Sequence, residues 1–340
     1  MSATITVIIP VFNGRSKLRA ALDSVRDQTL PPQELIVVDD GSTDGWQQVL
    51  DGFTAPFPVR VIEQANQGQS AARNHGAREA TGELLAFLDQ DDEWRPRHLE
   101  VLAAPFARQP DLGWCYSDFD EIDGDGYVVT RAFLREFGIR NPKSSVLACV
   151  SHDLMVLPSA SVLRRSMYEQ VGGFDEQLCG YEDDDLFVRC FRAGWAHRFV
   201  AQPLTRFRIH ADSSSSTGRF IASRLHYAAK LEAMFARTDR LDRSYMRDAV
   251  APRFFHTTLD DYVRACSARD WTQARHAFAA LEHFAEMRGK GLRTRWKLAC
   301  TRNPRLFRAM MAVNERLPRL VRWRTHPVVR LRGQPALGKI

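Results

Sequence analysis

Leu84-Leu85-Ala86-Phe87-Leu88 is an unbroken apolar run that ends directly at Asp89-Gln90-Asp91-Asp92. The run has the length and composition of a buried strand in a parallel sheet. Carboxylates at the end of such a strand are costly unless a cation meets them. Asp89 and Asp91 are two residues apart, so in an extended segment they point the same way, as two oxygen ligands of Mg²⁺ or Mn²⁺ would. The alternative is an acidic loop that caps a helix beginning near Pro96.

This strand belongs to a region in which strand and helix patterns alternate at short intervals. The strands are expected at 4–11, 34–38, 59–63, 84–88 and 112–118, and the helices at 16–26, 42–50, 69–80 and 96–108. Such alternation predicts an α/β fold with a mainly parallel sheet flanked by helices. Ligands bind at the carboxyl ends of the strands in these sheets, and Asn13, Asp39-Asp40 and Asp89–Asp92 all fall there. The helical pattern of 222–286 predicts a C-terminal helical appendage.

The bulk composition is that of a globular protein. With 340 residues, 44% of them apolar, the chain can form one large domain or two modest ones. The six cysteines are scattered with no close pair, which argues against a zinc site or a disulfide framework and suits a reducing cytosol. No basic-then-apolar leader opens the sequence, and no apolar stretch of about 18 residues occurs. We therefore expect a cytoplasmic protein without a spanning helix.

The last part of the chain, 288–340, is strongly basic. It holds 15 Lys and Arg residues against one acid, Glu315, while the preceding part is mildly acidic in sum. Trp, Leu and Phe are interleaved with the basic residues, which is typical of an interfacial helix on an anionic membrane, although Pro304 and Pro318 would break it into pieces. A solvated basic tail is the alternative. Nucleic-acid binding is disfavoured because the domain ahead shows no nucleic-acid motif.

Six short motifs occur in order along the chain. They are 7–13 (VIIPVFN), 38–44 (VDDGSTD), 67–76 (QGQSAARNHG), 87–92 (FLDQDD), 172–176 (GGFDE) and 180–186 (GYEDDDL). Each is weak alone, but together they resemble family 2 glycosyltransferases with the GT-A fold, over roughly residues 4–215. The resemblance implies an inverting transfer of a sugar from a nucleotide-diphosphate sugar, usually a UDP-sugar, to a hydroxyl of a glycan or lipid-linked acceptor. Its acceptors suggest bacterial surface polysaccharide or lipopolysaccharide synthesis.

The first two motifs carry the nucleotide site that the resemblance implies. Pro10 and Asn13 at the end of the first strand would lie against the base, and Asp40, with Asp39 beside it, would accept a hydrogen bond from it. The alternative for Asp39 and Asp40 is turn and helix-capping chemistry. Within the third motif, Gly68 would let the backbone approach the ligand.

Arg73 and Asn74 follow in the same motif. Arg73 is the expected cation near the diphosphate or near its acidic neighbours, and a solvated helix residue is the alternative. Asn74 is expected to brace the loop rather than to contact ligand.

The metal site is expected at the fourth motif. The resemblance makes Asp91 the strongest ligand, with Asp89 second, either through water or through the ribose. His210 follows the strand-like stretch Arg206-Phe207-Arg208-Ile209, where related enzymes can complete the site, and imidazole suits Mn²⁺ better than Mg²⁺. A surface histidine is the alternative for His210.

The general base is expected at the last motif. Asp183 resembles the carboxylate that removes the acceptor proton, and Glu182 would bind the acceptor or orient that base. Asp184 and Asp185 are expected to cap the helix or face solvent, since acids at a helix N-terminus are stabilised by its dipole.

Two other functions are the alternatives to a glycosyltransferase. A sugar-phosphate nucleotidyltransferase would need a Gly-rich, basic loop after the first strand, and a non-catalytic membrane-associated protein would not need Asp89, Asp91 and Asp183 together.

The domains are expected at 1–220, with nucleotide-sugar binding in 1–118 and the acceptor part in 119–220. A helical extension is expected at 221–287, and the basic segment at 288–340.

Overall fold

The computed structural model describes residues 3–209, 219–237, 244–289, 299 and 301–309. The chain divides into two compact units. The first consists of Met1–Cys149 and Asp153–Ser223, and the second of Val150–His152 and Arg224–Ile340. The expected domain boundaries at 220 and 287 stay predictions.

The first unit is built on one mixed sheet. Its strands are β1 (Ile5–Val11), β2 (Glu34–Asp39), β3 (Val59–Glu63), β4 (Leu84–Phe87), β5 (Glu93–Trp94), β6 (Leu112–Ile122), β7 (Val128–Thr130), β8 (Ser161–Arg164) and β9 (Ala196–Arg208). Their order is β3-β2-β1-β4-β8-β6-β9-β5, with β7 paired to β6. The pairs β3–β2, β2–β1, β1–β4 and β6–β9 are parallel, and β8 is antiparallel to both β4 and β6. The predicted mainly parallel α/β sheet is confirmed.

Ten α-helices accompany the strands in the described residues. They are α1 (Leu18–Arg26), α2 (Gln69–Glu79), α3 (His98–Ala103), α4 (Phe133–Glu136), α5 (Val146–Val150), α6 (Arg165–Gln170), α7 (Glu182–Arg192), α8 (Arg219–Phe235), α9 (Ala251–Ala268) and α10 (Trp271–Arg288). The last three confirm the predicted C-terminal helical appendage. No helix of the described ranges is long and apolar enough to cross a bilayer.

Close packing of α2 on the sheet positions the later site. Every residue of β1 and β2 is buried. A Cβ on Gly76 would lie 2.5 Å from Cγ2 of Ile8, so only glycine lets the α2 backbone rest directly on β1. This contact holds Arg73 and Asn74, one turn earlier on α2, over the carboxyl ends of the central strands.

Two predicted helices are shorter in the structure. The segment 42–50 forms only the 3-10 helix Trp46–Leu50, preceded by Gly45 in the left-handed region at φ 71°. The segment 96–108 divides into α3 and the 3-10 helix Ala104–Ala107, because Pro105 lacks the N–H that a continuous α-helix needs.

The second unit is helical and has its own apolar core. Phe254 of α9 and Phe284 of α10 pack with ring centroids 5.5 Å apart, and both are fully buried. Buried Arg224 donates from Nη1 to Oδ2 of Asp261 at 2.8 Å and to Oγ1 of Thr258 at 2.7 Å. These charge-assisted bonds give the buried positive charge of Arg224 an acidic and a hydroxyl partner within the unit. Of the basic segment 288–340, only 288–289, 299 and 301–309 are among the described residues.

Candidate active site

The acidic loop after β4 is a turn rather than an extended segment. Asp92 N–H donates to Asp89 O at 3.1 Å, which closes the turn over Gln90 and Asp91. The premise that this segment is extended, and so aligns Asp89 with Asp91, is therefore wrong. The backbone N–H of Asp89 donates to Oγ of Ser159 at 3.1 Å, which fixes the turn against the sheet.

Arg73 lies at the centre of the site. Its Nη2 donates to Oδ1 of Asp89 at 2.6 Å and its Nη1 to Oε1 of Glu182 at 3.5 Å. Its guanidinium lies 5.0 Å from the ring centroid of Phe174, and its side chain is only 1% exposed. Burial alone would lower the pKa of Arg73, but the charges of Asp89 and Glu182 outweigh it and raise that pKa. One buried cation thus joins the β4 loop to the start of α7.

Asp183 is the strongly perturbed carboxyl of α7. Desolvation raises its pKa well above the ordinary range, and the charges of Glu182, Asp184 and Asp153 raise it further. The N–H of Asp184 donates to Asp183 Oδ1 at 2.8 Å and partly offsets these effects. A carboxyl in this environment holds its proton at a higher pH than a solvated one, as a general base requires.

The neighbouring acids are structural. Asp184 is 2% exposed and accepts a 3.0 Å hydrogen bond from Leu154 N–H. Asp185 is fully buried and its Oδ2 lies 2.7 Å from Nη2 of Arg189. Of the two expectations for these side chains, that they cap the helix or that they face solvent, the second is wrong, because both are buried and each has a partner that the local sequence does not reveal.

The segment 172–176 is held from both sides. From α2, Asn74 Nδ2 donates to Phe174 O at 2.9 Å and Asn74 Oδ1 accepts from Phe174 N–H at 2.9 Å. From α7, Arg189 donates to Val171 O at 2.5 Å and to Gly173 O at 2.7 Å. Asn74 therefore has the bracing contacts expected of it.

The two acids after β2 organise the surrounding loops. Asp39 accepts from Ser42 N–H at 2.9 Å and from Nε1 of Trp46 at 2.8 Å. Asp40 accepts from the N–H groups of Gln67 and Gly68, each at 2.8 Å. Both carboxylates thus make the turn and capping contacts that were the alternative to nucleotide binding, which leaves the nucleotide role of both residues a prediction.

Gly68 is required for its backbone conformation. Its φ is +95°, a value that side-chain-bearing residues rarely adopt, and it is the N-cap of α2. Apart from its two chain neighbours, no described residue lies within 4 Å of a Cβ placed there, so the space next to Gly68 is open.

Pro10 and Asn13 lie at and beyond the end of β1. Pro10 is buried and pairs with Val38 of β2. Asn13 has φ 50°, donates from N–H to Oγ of Ser42 at 3.0 Å and accepts at Oδ1 from Thr43 N–H at 2.9 Å. These bonds tie the loop after β1 to the loop after β2.

Gln90 makes contacts that the sequence did not indicate. Gln90 lies between Asp89 and Asp91; its Oε1 accepts from Phe12 N–H at 2.9 Å and its Nε2 donates to Phe12 O at 3.1 Å. This reciprocal pair fastens the acidic turn to the loop after β1.

Arg208 is a site residue that sequence reasoning missed. Its Nε donates to Asp91 O at 2.9 Å, its N–H donates to Oδ1 of Asp92 at 2.9 Å, and its Nη2 pairs with Glu93. Arg206, two residues earlier and so on the same face of β9, pairs with Glu93 as well. The Arg-x-Arg spacing was a usable signal, because two arginines on one strand face need an acidic partner. His210, the predicted third metal ligand, lies outside the described residues.

The acidic turn fits a divalent cation only in part. Asp89 Oδ2 accepts no hydrogen bond from any described residue, whereas Asp89 Oδ1 is used by Arg73 and Gln69. No three His, Cys, Asp or Glu side chains gather into a preformed metal site within the described ranges. Carboxylates completed by water and substrate phosphates are a donor set that suits Mg²⁺ or Mn²⁺. Asp89 and Asp91 could therefore hold a cation together with a bound diphosphate.

Comparison with known proteins identifies the family. The model of the family "Glycosyl transferase family 2" matches residues 6–172. An uncharacterized glycosyltransferase of Nostoc sp. is 32% identical over 209 residues, an alignment that covers 61% of this chain and 65%, just under two thirds, of that protein. The uncharacterized glycosyltransferase YwdF of Bacillus subtilis is 30% identical over 193 residues, covering 54% of this chain and 67% of that protein.

Two solved structures share the fold. Residues 1–349 of Staphylococcus aureus TarS, in complex with UDP-GlcNAc, align with a TM-score of 0.63 and 18% identity over 90% of this chain and 89% of that one. The mannosyltransferase PcManGT of Pyrobaculum calidifontis, in complex with GDP-Man and Mn²⁺, aligns with a TM-score of 0.51 and 21% identity over 92% and 81% of the two chains. The chain belongs to the family 2 glycosyltransferases and is a glycosyltransferase enzyme with the GT-A fold.

Proposed function

We propose that this enzyme moves a sugar from a nucleotide-diphosphate sugar to an acceptor hydroxyl, with a divalent cation and with inversion at the anomeric carbon. The observation that carries the proposal is the position of Arg73 between Asp89 and Glu182. These two acids are neighbours of the proposed metal ligand Asp91 and the proposed base Asp183. A donor held at one loop would therefore lie within reach of the base on the other.

Nucleotide binding is proposed at the ends of β1 and β2. Pro10, Asn13, Asp39 and Asp40 surround this edge, and Gly68 leaves open space at the N-terminus of α2, where backbone N–H groups favour an anion. Because Asp39 and Asp40 are already hydrogen-bonded by the chain, each would use its remaining lone pairs for the base. Arg73 would bind Asp89 and Glu182, and its positive charge would offset part of the negative charge of the site.

The proposed cation ligands are Asp91 and Asp89, with His210 as the third. A bound divalent cation would stabilise the charge that develops on the leaving nucleotide diphosphate. Arg208 would keep Asp91 in place by its bond to the Asp91 carbonyl. Mn²⁺ is our first choice and Mg²⁺ our second, because His210 would suit Mn²⁺.

Asp183 is the proposed general base. Its raised pKa makes the Asp183 carboxylate a stronger base toward the acceptor hydroxyl than a solvated aspartate. Glu182, fixed by Arg73 and by the Gly180 N–H at 2.8 Å, would orient that hydroxyl. A single displacement with a single base inverts the anomeric configuration, so a second carboxylate nucleophile is not needed.

The donor and the acceptor are proposed as chemical classes. TarS was crystallised with UDP-GlcNAc and PcManGT with GDP-Man, and we propose a UDP-sugar as the first donor to test. The acceptor is proposed to be a glycan or lipid-linked sugar of a bacterial surface polysaccharide or lipopolysaccharide. We further propose a cytoplasmic enzyme held peripherally on an anionic membrane through 288–340.

Release of UDP from UDP-sugars tests the catalytic proposal. We expect Mn²⁺-dependent UDP release by the intact protein and at least a hundredfold loss in Asp91→Ala, with Asp51→Ala as an exposed acidic control. GDP-sugars and dTDP-sugars complete the panel. Pyrophosphate release from UTP would instead indicate a nucleotidyltransferase, and UDP release that is the same in Asp91→Ala would contradict the metal role.

Flotation with liposomes tests the membrane proposal. Vesicles with 30% phosphatidylglycerol should recover the intact chain and should not recover a chain truncated after Glu286, because the truncation removes the excess positive charge. Equal recovery of the two chains would exclude membrane contact through 288–340.

A further inference from the structure

An arginine-lined groove lies beside the acidic turn in the first unit. It has a volume of about 370 Å³, and its walls include Arg95, Arg131, Arg206, Glu93, Pro96 and Val128. Three arginines and one acidic residue, Glu93, thus line the groove. None of these residues belongs to the nucleotide, metal or base sites described above.

A buried carboxylate fixes Arg95 and the backbone next to Arg131. Asp120 is 1% exposed, pairs with Nη2 of Arg95 and accepts a 2.9 Å hydrogen bond from Ala132 N–H. Ala132 is in the left-handed region at φ 49°, which is costly for a residue other than glycine. Asp120 therefore holds the Arg95 side chain directly and anchors the backbone at Ala132, the residue after Arg131.

The Arg206 side chain is fixed by an acid and by a backbone carbonyl. Arg206 pairs with Glu93 and donates from Nη2 to Gly126 O at 2.5 Å. Glu93 pairs with Arg208 too, so its single charge is shared by two guanidinium groups. Asp123, nearby on the chain, is directed elsewhere, because its Oδ1 accepts the N–H groups of Asp125 and Tyr127 in its own turn.

Arg131 is the arginine of this groove that has no acidic partner among the described residues and can pair with a bound anion. It is exposed, and in the part of the chain that the structure describes no carboxylate pairs with it. Two acids, Glu93 and Asp120, pair with three of the arginines here, which are Arg95, Arg206 and Arg208. With Arg131 there are four guanidinium groups for these two carboxylates. This excess of guanidinium groups suits a phosphate or a carboxylate, which arginine binds through two N–H groups.

Glu93 and Arg208 link the groove to the acidic turn of the proposed transfer site. Glu93 is two residues after Asp91, and Arg208, which shares Glu93 with Arg206, donates to the Asp91 carbonyl. We propose that the groove binds an anionic group, phosphate or carboxylate, carried by the acceptor, while Pro96 and Val128 contact the adjoining carbon skeleton. This inference rests on the proposed function, since it names the class of acceptor for the same transfer.

Chemical modification of single arginines tests the groove. Phenylglyoxal modifies accessible guanidinium groups, and peptide mass spectrometry reports the rate at each position. Glycerol 3-phosphate and glucuronate serve as probes at constant ionic strength. We expect either probe to slow modification of Arg131 at least fivefold and to leave Arg108 unchanged, since Arg108 is likewise exposed and, among the described residues, has no acidic partner.

Calorimetry with the same probes provides the second measurement. Arg131→Gln and Arg131→Glu should weaken binding about tenfold or more, whereas the matched Arg108→Gln should bind as the natural chain does. Protection by glycerol 3-phosphate alone assigns phosphate, protection by glucuronate alone assigns carboxylate, and protection by both supports an anionic acceptor of either kind. Protection of neither, equal protection of Arg108, or unchanged affinity in both Arg131 variants would overturn the inference.

Metal-dependent UDP release by the natural chain, measured on the same preparation, distinguishes failure of the anion-binding groove from failure of the proposed sugar transfer. Intact UDP release without Arg131 protection would reject the groove alone. Arg131 protection without UDP release from any nucleotide sugar would reject the proposed reaction and leave the anion site standing.

Discussion

Arg73 Nη2 lies 2.6 Å from Asp89 Oδ1, and the guanidinium that makes this bond is almost completely buried. Its other end reaches Glu182, more than a hundred residues later in the chain. Two carboxylates close together at the site would repel each other, and Arg73 neutralises part of that repulsion. The loop after β4 and the start of α7 are therefore held by one cation.

Arg73→Lys is expected to lose most of the sugar-transfer activity. A lysine ammonium cannot bond both acids in the fork geometry of a guanidinium, and weakening a buried ion pair costs on the order of 1 to 3 kcal/mol. We expect kcat/KM for UDP-sugar hydrolysis to fall at least a hundredfold and Tm to fall by several degrees. Arg78→Lys, an exposed change on the same helix, should alter neither. Full activity in Arg73→Lys would show that the bridge is dispensable.

Asp183 should give the activity a distinctive dependence on pH. The base acts only when ionised, so the rate should rise with pH, and the raised pKa of Asp183 should place that rise above the ordinary range of aspartate. Asp183→Asn should lower kcat by a factor of about 10² to 10⁴ and abolish the rise. A profile that is flat in the natural enzyme between pH 5 and 8 would contradict the assignment.

The same shift predicts an effect on stability. The native state holds the Asp183 proton more tightly than the unfolded chain does, so Asp183 lowers stability as pH increases through its raised pKa. Asp183→Asn should therefore have a higher Tm than the natural chain at pH 8 and a smaller advantage at pH 5. Asp51→Asn, at an exposed position, serves as the control at both pH values.

Much of the fold was accessible from sequence because its strands are strongly patterned. The runs at 59–63 and 84–88 predicted β3 and β4 to within one residue. The end of β6 was placed at 118 but lies at Ile122. The strand was expected to end at Asp118, yet Asp118 and Asp120 are both buried within it, and backbone N–H groups of 132–135 bond to their carboxylates.

The site was predictable as a set of motifs and less so as a set of contacts. The two acids Asp39 and Asp40 were recognisable, but Asp40 has partners up to 28 residues away that periodicity cannot reveal. Arg208 is the sharper case, since its partners are more than 80 residues earlier in the chain. Such long-range pairs follow from the sheet order, which local patterns do not specify.

Arg208→Gln is expected to weaken metal-dependent UDP binding. Its guanidinium holds Asp91 O at 2.9 Å, Asp123 O at 2.9 Å and Glu93, so its loss frees the acidic turn on two sides. Residues that orient metal ligands typically contribute about 10- to 100-fold in affinity. Calorimetry with UDP and Mn²⁺ should detect that loss, and Arg198→Gln on the same strand β9 should not. Unchanged affinity in a folded Arg208→Gln protein would exclude a positioning role.

His98→Phe is expected to make the protein less sensitive to acid. His98 is fully buried and stacks on Trp94 with centroids 4.3 Å apart, and burial lowers its pKa to about 3. Between pH 6.5 and 3 the unfolded chain binds a proton that the native chain excludes, so stability falls by up to about 1.4 kcal/mol per pH unit. Phenylalanine keeps the stacking and removes this titration. Urea unfolding midpoints at pH 7.5, 6.0 and 5.0 should therefore decline less steeply in His98→Phe, and parallel declines in the two proteins would refute the assignment.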